Sequence, residues 1–248
     1  MLKTKCLIFL IYALAYTGCN RKSDKNNMST KKRYVYETTV NIPVKLNYSL
    51  YIPDEYNNTD SLFSMVLYLH GVGERGTDLN KLELNGIPEL ISKGKDFPFL
   101  TLAPQCPEFG WWSRPEYVEA LASLTKEIIR KYRIDERRVY MSGLSMGGYG
   151  TLALAKAYPQ LFSAIIPICG GMDNHEDIER LENMPIWLFH GDMDKVHPLE
   201  YSTAIYDLLK PINKDIKLTV YEGVGHNSWD KTYANDKIYE WLISHKKE

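Results

Sequence analysis

The stretch Arg138-Val139-Tyr140-Met141-Ser142-Gly143-Leu144-Ser145-Met146-Gly147-Gly148 decides how this chain folds. Its first four residues are strand-like, and the apolar spacing over residues 146–158 is helical. Between them, Gly143-Leu144-Ser145-Met146-Gly147 is a G-x-S-x-G motif in the order strand, sharp turn, helix, the context that makes it a nucleophile elbow. The turn is too tight for side chains at the glycines, so the serine is held in a strained conformation with its hydroxyl at the strand end. A helix that begins at Met146 also turns free backbone N–H groups toward whatever the serine attacks. The motif alone is equally a Gly-rich strand-to-helix turn, so the rest of the chain must supply its partners.

Working outward, strand-like runs alternate with helical ones from residue 34 onward. Two early runs, 34–40 and 44–52, read as an antiparallel pair joined through Asn41-Ile42-Pro43. The later strand candidates are 65–69, 99–103, 138–141, 164–168, 186–189 and 216–221, mostly continuous apolar runs of the kind buried on both faces of a parallel sheet. Helical patterns lie at 116–132, 146–158, 198–209 and 233–244. This alternation predicts an α/β fold with a mostly parallel sheet of about eight strands and helices on both faces. In such a sheet the chemistry gathers in loops at the carboxyl ends of the strands.

Two of those loops hold what a serine needs. After the 186–189 strand comes His190-Gly191-Asp192-Met193-Asp194-Lys195-Val196-His197-Pro198, and after the 216–221 strand comes Glu222-Gly223-Val224-Gly225-His226-Asn227-Ser228-Trp229. Serine is a weak nucleophile until an imidazole takes its proton, and that imidazole needs a carboxylate to hold its tautomer. His226 alone has the position expected of the base. His70 and His190 each end an apolar strand and read as packed structural residues, whereas His175, His197 and His245 lie in polar segments and read as solvated. Asp192 and Asp194 both compete for the acid. Asp192, Asp194 and His197 do not make a convincing metal set, and no metal or cofactor is implied.

Five motifs in order, His70-Gly71-Val72-Gly73-Glu74-Arg75-Gly76, Ala103-Pro104-Gln105-Cys106-Pro107, Gly143 to Gly148, His190-Gly191-Asp192-Met193-Asp194 and Gly225-His226, make the chain resemble the α/β-hydrolase superfamily. The resemblance covers roughly residues 40–245 and is closest to bacterial secreted or lipoprotein esterases of the phospholipase/carboxylesterase-like and feruloyl-esterase-like kind. It implies Ser145 as nucleophile, Asp194 as acid and His226 as base. It also implies an oxyanion hole made by the N–H groups of Met146 and Val72. Glu74 and Arg75 are expected to pair and shape the Val72 loop. Only some fourteen residues separate Gly170, near the end of one strand, from Pro185, near the start of the next, where related hydrolases carry a large cap, so the pocket should be open. Trp111, Trp112 and Trp229 fall in loops that reach this end of the sheet and are expected on the substrate rim, suited to a sugar ring or aromatic acyl group.

The resemblance implies a serine carboxylic-ester hydrolase acting on feruloyl or acetyl esters of plant polysaccharide. The alternatives are a short-chain carboxylesterase or (lyso)phospholipase, and a glycan-binding lipoprotein on a retired hydrolase fold. The intact serine, acid and histidine argue against the last.

The first residues differ in kind. Lys3 and Lys5 precede an apolar stretch at 7–16 that is too short to span a bilayer, followed by Thr17-Gly18-Cys19. This resembles a bacterial lipoprotein signal at 1–18 with Cys19 as the lipidated mature terminus, which implies a membrane partner through the lipid and residence in the cell envelope, anchored to the outer membrane. Residues 19–33 read as a basic tether and 34–248 as the catalytic domain. Residues 20–33 carry six Lys/Arg against one Asp, so with the two signal lysines also set aside, the overall −1 becomes −8 on residues 34–248. A domain of that sign does not suit nucleic acid as a partner. Cys106 and Cys169 are left as two free thiols.

Overall fold

The computed structural model describes residues 42–248. The signal, Cys19, the tether and the strand candidate at 34–40 lie outside the described residues. Seven strands form one sheet: β1 (Asn47–Tyr51), β2 (Phe63–Leu69), β3 (Phe99–Gln105), β4 (Ile134–Leu144), β5 (Ala164–Ile168), β6 (Ile186–Gly191) and β7 (Ile216–Tyr221). Their order is β1-β3-β2-β4-β5-β6-β7, and every pairing but one is parallel. The exception is β1, whose antiparallel partner is β3, with Asn47 opposite Gln105 and Tyr51 opposite Thr101.

Alternation along the strands sends side chains to two cores. Met65, Leu67 and Leu69 of β2 join a cluster with Leu121 and Ile128 of α2 (Pro115–Lys131), Leu152 of α3 (Met146–Ala157) and Ile205 of α4 (Glu200–Leu209). Val66 and Tyr68 point the other way, to Ile87 of α1 (Gly86–Ser92), Tyr233 of α5 (Ser228–Tyr233) and Leu242 of α6 (Lys237–Ser244). Helices therefore cover both faces. In α2 the buried residues Val118, Leu121, Ala122, Thr125, Ile128 and Ile129 recur every three or four positions, and Pro115 opens the first turn, where its missing N–H costs nothing.

Two differences from the sequence expectation have local causes. Residues 86–92 are not among the helical patterns read from the sequence, yet α1 begins at Gly86, and Pro88 is tolerated because a proline within the first helical turn removes no intrahelical bond. The helix expected from 233 begins only at Lys237, whose N–H is accepted by the Asn235 side chain at 3.2 Å after a turn, and a separate short helix, α5, ends at Tyr233. Between β5 and β6 the only helical turn is the short Ile178–Leu181 segment, so no cap covers the strand ends there.

Candidate active site

Ser145 joins β4 to α3 at φ 53° and ψ −117°, a left-handed backbone that costs a non-glycine residue about 1 kcal/mol. The turn is locked on both sides: the Ser145 N–H donates to Ile168 O at 2.9 Å, and its carbonyl accepts from Gly148 at 2.8 Å. The flanking glycines are required by close approach. A Cβ on Gly147 would lie 1.9 Å from the Leu69 carbonyl oxygen, and one on Gly143 would lie 2.3 Å from the Gly147 oxygen.

The hydroxyl so presented meets the loop after β7. Ser145 Oγ lies 2.9 Å from His226 Nε2, and His226 Nδ1 lies 2.7 Å from Asp194 Oδ2. Asp194, in the loop after β6, is buried, and its Oδ1 accepts the N–H groups of Val196 (2.8 Å) and His197 (2.9 Å). Burial by itself would raise this carboxyl, but the hydrogen bonds from His226, His197 and Val196 outweigh it and hold Asp194 below the usual carboxylate range. Asp192 is exposed and instead accepts the Gly223 N–H at 2.7 Å, tying the β6 and β7 loops together.

The loop after β2 lies against the same serine, since a Cβ built on Gly71 would sit 3.7 Å from Ser145 Cβ. Val72 opens the short helical turn Val72–Glu74, with its side chain exposed. Among the described residues, neither the Met146 nor the Val72 N–H donates to a backbone acceptor outside its own helix. Glu74 and Arg75 do not pair as expected. Buried Glu74 accepts a hydrogen bond from the Asn85 side chain, while Arg75 donates to the carbonyls of Val72 (3.1 Å) and Gly110 (3.2 Å), which serves the backbone of the loop better than an ion pair would.

Residues 115–242 match the phospholipase/carboxylesterase family. The chain belongs to that family. It is a carboxylic-ester hydrolase of α/β-hydrolase fold. It is 22% identical over 203 residues to an acyl-protein thioesterase 1 of Debaryomyces hansenii, covering 69% of this chain and 88% of that protein. It is 26% identical over 198 residues to a SOBER1-like probable carboxylesterase of Arabidopsis thaliana, covering 68% and 75%. A thermostable esterase of known structure superposes with a TM-score of 0.72 at 34% identity, over 82% of this chain; this chain spans 60% of that one.

Around the hydrolase site the aromatic residues separate. Trp229 is half-buried, edge-on to the His226 ring at 5.3 Å, and its Nε1 donates to Asn85 Oδ1 at 3.2 Å. Trp111 is half-buried against Tyr149, with ring centroids 5.9 Å apart. Trp112 is not on the rim. It is fully buried, donates to the His70 carbonyl at 3.2 Å, and fills space left on α3 by Gly150, where a Cβ would lie 2.4 Å from the Trp112 Cβ.

Two histidines read from sequence as solvated are not. His245 is half-buried between Asp215 Oδ2 (2.8 Å) and the Trp241 carbonyl (2.7 Å). His197 is half-buried with its ring 5.0 Å from that of His226, so it belongs to the site. The nearby Tyr149, four residues past Ser145 on the first turn of α3, is the signal that something would pack there.

The cysteines Cys106 and Cys169 are free and buried. Cys169, Asp194 and His226 form a group whose ligand atoms lie within 4.8 Å of one another. Burial pushes the Cys169 thiol up to about 12, and Asp194 and His226 already bind each other, so the group reads as a hydrogen-bonded pair beside a protonated thiol.

Beneath the Val72 loop, His70 is fully buried and neutral, with Nδ1–H donating to the Gly71 carbonyl at 2.6 Å and Nε2 accepting the Cys106 N–H at 2.9 Å. Burial holds it down to about 4, against the opposing Gly71 bond. An unfolded chain takes up this proton below roughly pH 6.5, whereas the native protein resists it until about 4. The unfolded state therefore binds more protons in that window, and acidification through it should cost about 3 kcal/mol of stability from this residue. Urea titrations at pH 7 and 4.5 should give a smaller acid loss for His70→Gln than for wild type. Equal losses would assign the acid sensitivity elsewhere.

Proposed function

We propose that Ser145, His226 and Asp194 hydrolyse carboxylic esters through an acyl-enzyme, and that the substrates are acetyl, other short-chain or hydroxycinnamoyl esters carried on plant polysaccharide. The observation that carries the first part is the continuous run Ser145 Oγ, His226, Asp194 at 2.9 and 2.7 Å. Ser145 Oγ attacks the ester carbonyl carbon as its proton passes to His226 Nε2, and Asp194 stabilises the imidazolium. The negative oxygen of the tetrahedral intermediate is held by the N–H groups of Met146 and Val72. Collapse breaks the ester C–O bond, His226 returns the proton to the leaving alcohol, and Ser145 keeps the acyl group. Water then attacks with His226 again as base, and the acid leaves.

The substrate class is supported by the open strand ends and by what borders them. A groove of about 330 Å³ that shares Tyr149 with the site is lined by the apolar Val118, Ala153 and Met172 together with the polar Ser113, Lys156 and Asp173. A groove of mixed lining, with Trp111 packed on the Tyr149 that lines it, suits a sugar chain better than a fatty acyl chain. An enclosed acyl tunnel would raise kcat/KM about fourfold per methylene, the equivalent of about 0.8 kcal/mol each. A series of 4-nitrophenyl esters should instead be turned over best at two to four carbons and poorly beyond about eight, for want of such a tunnel. Rising specificity toward long chains would overturn the polysaccharide reading in favour of a lipid esterase.

A further inference from the structure

The loop that carries Asp194 also carries a second imidazole, which no step above uses. His197 closes the turn on Asp194 through its N–H, and its carbonyl accepts from His190 Nε2 at 2.8 Å, so its backbone is pinned on both sides. Its ring sits 5.0 Å from His226, 5.2 Å from Tyr149 and 6.1 Å from Tyr201, and its Nδ1 is 3.2 Å from the Tyr149 hydroxyl. Its Nε2 has no hydrogen-bond partner among the described residues, and the residue is half-buried.

The Tyr149–His197 hydrogen bond can be made with either group donating, and the phenol is taken as the donor. Burial pushes the Tyr149 phenol up to about 12, so it stays protonated, and its only hydrogen-bond partner among the described residues is His197 Nδ1. A phenol that donates to Nδ1 leaves the imidazole proton on Nε2. The titratable groups around His197 are His226, His190, Asp194, Tyr149 and Tyr201. Burial and the neighbouring His226 hold His197 below its ordinary value against the pull of Asp194, which keeps it a neutral donor beside a base that must itself become charged.

We propose that His197, with its tautomer fixed by Tyr149, is a specificity-determining residue that offers Nε2–H to an oxygen acceptor flanking the scissile ester. The substrates it selects are esters of polyols and sugars, whose hydroxyl oxygens lie a few bonds from the reacting carbonyl. This rests on Ser145 and His226 being the reacting pair, and not on the polysaccharide reading.

The test uses two small esters that differ in this respect, monoacetin, which carries free hydroxyls, and ethyl acetate, which carries none. Wild type should prefer monoacetin in kcat/KM, and His197→Phe should reduce that preference by about fivefold, the scale of one lost neutral hydrogen bond, on top of whatever loss ethyl acetate shares. His197→Gln, which keeps an N–H donor, should recover part of the preference, and Tyr149→Phe should lose part of it. Melting curves of all three variants report folding independently. An equal loss on both esters in folded variants would make His197 a purely structural residue, and an unchanged ratio would remove it from the site. If Ser145→Ala still turned over both esters, the reading of the reacting pair would fail instead.

Discussion

Ser145→Ala is expected to leave a folded protein whose kcat has fallen by roughly 10⁴-fold or more. In the proposed mechanism this hydroxyl forms the acyl-enzyme, and it lies 2.9 Å from His226 Nε2, the proposed acceptor of its proton. Everything else about the site survives the change. The turn is held by the Ser145 N–H and carbonyl, which alanine also supplies, and the φ of 53° strains alanine as it strains serine. The melting temperature should therefore barely move. His226→Ala should fall to a similar level, and the double variant no further, because the two side chains act as one unit. Turnover of 4-nitrophenyl acetate within tenfold of wild type would place the nucleophile elsewhere.

The parts of this protein legible in its sequence are those where geometry leaves few residue choices. Gly143 and Gly147 stand where any Cβ would enter a backbone oxygen, so the elbow had to be spelled in glycine. β5 and β6 are buried along nearly their whole length, which is why they read as unbroken apolar runs between helical patterns. Placing loops at strand ends offered Ser145, His226 and two competing acids, the family resemblance pointed to Asp194 of the two, and the structure joins Ser145, His226 and Asp194 by hydrogen bonds.

What sequence could not convey was side-chain direction within loops. Trp111 and Trp112 are neighbours in one loop, yet Trp111 lies half-buried by Tyr149 while Trp112 is turned into the core toward Gly150. His197 sits among polar residues, but Asp194 captures its N–H and turns its ring toward His226. Pairing partners were equally invisible: β1 pairs antiparallel with β3, fifty residues and more along the chain, a long-range register that no local turn signal announces.

Asp194→Asn is expected to reduce kcat by about 10³- to 10⁴-fold, and Asp192→Asn by less than about threefold. The asymmetry comes from what each carboxylate must accept. Asp194 takes one N–H from His226 on Oδ2 and two backbone N–H groups on Oδ1, so both of its oxygens must be acceptors. An asparagine has one oxygen to offer. If that oxygen keeps the Val196 and His197 N–H groups, the amide NH₂ faces His226 and forces the imidazole proton onto Nε2, where it can no longer take the serine proton. If the amide is reversed, two backbone donors confront an NH₂ in a buried turn, and the loop that holds the acid loosens. Asp192 meets neither difficulty, because its single acceptor role to Gly223 passes unchanged to an asparagine oxygen on the exposed surface. Acid unfolding gives a second readout. A carboxylate held below its unfolded value adds stability above ordinary carboxylate pH, and this is lost as pH falls through the folded value, so Asp194→Asn should flatten the acid limb of stability. Reversal of the kcat order between the two variants would transfer the acid role to Asp192.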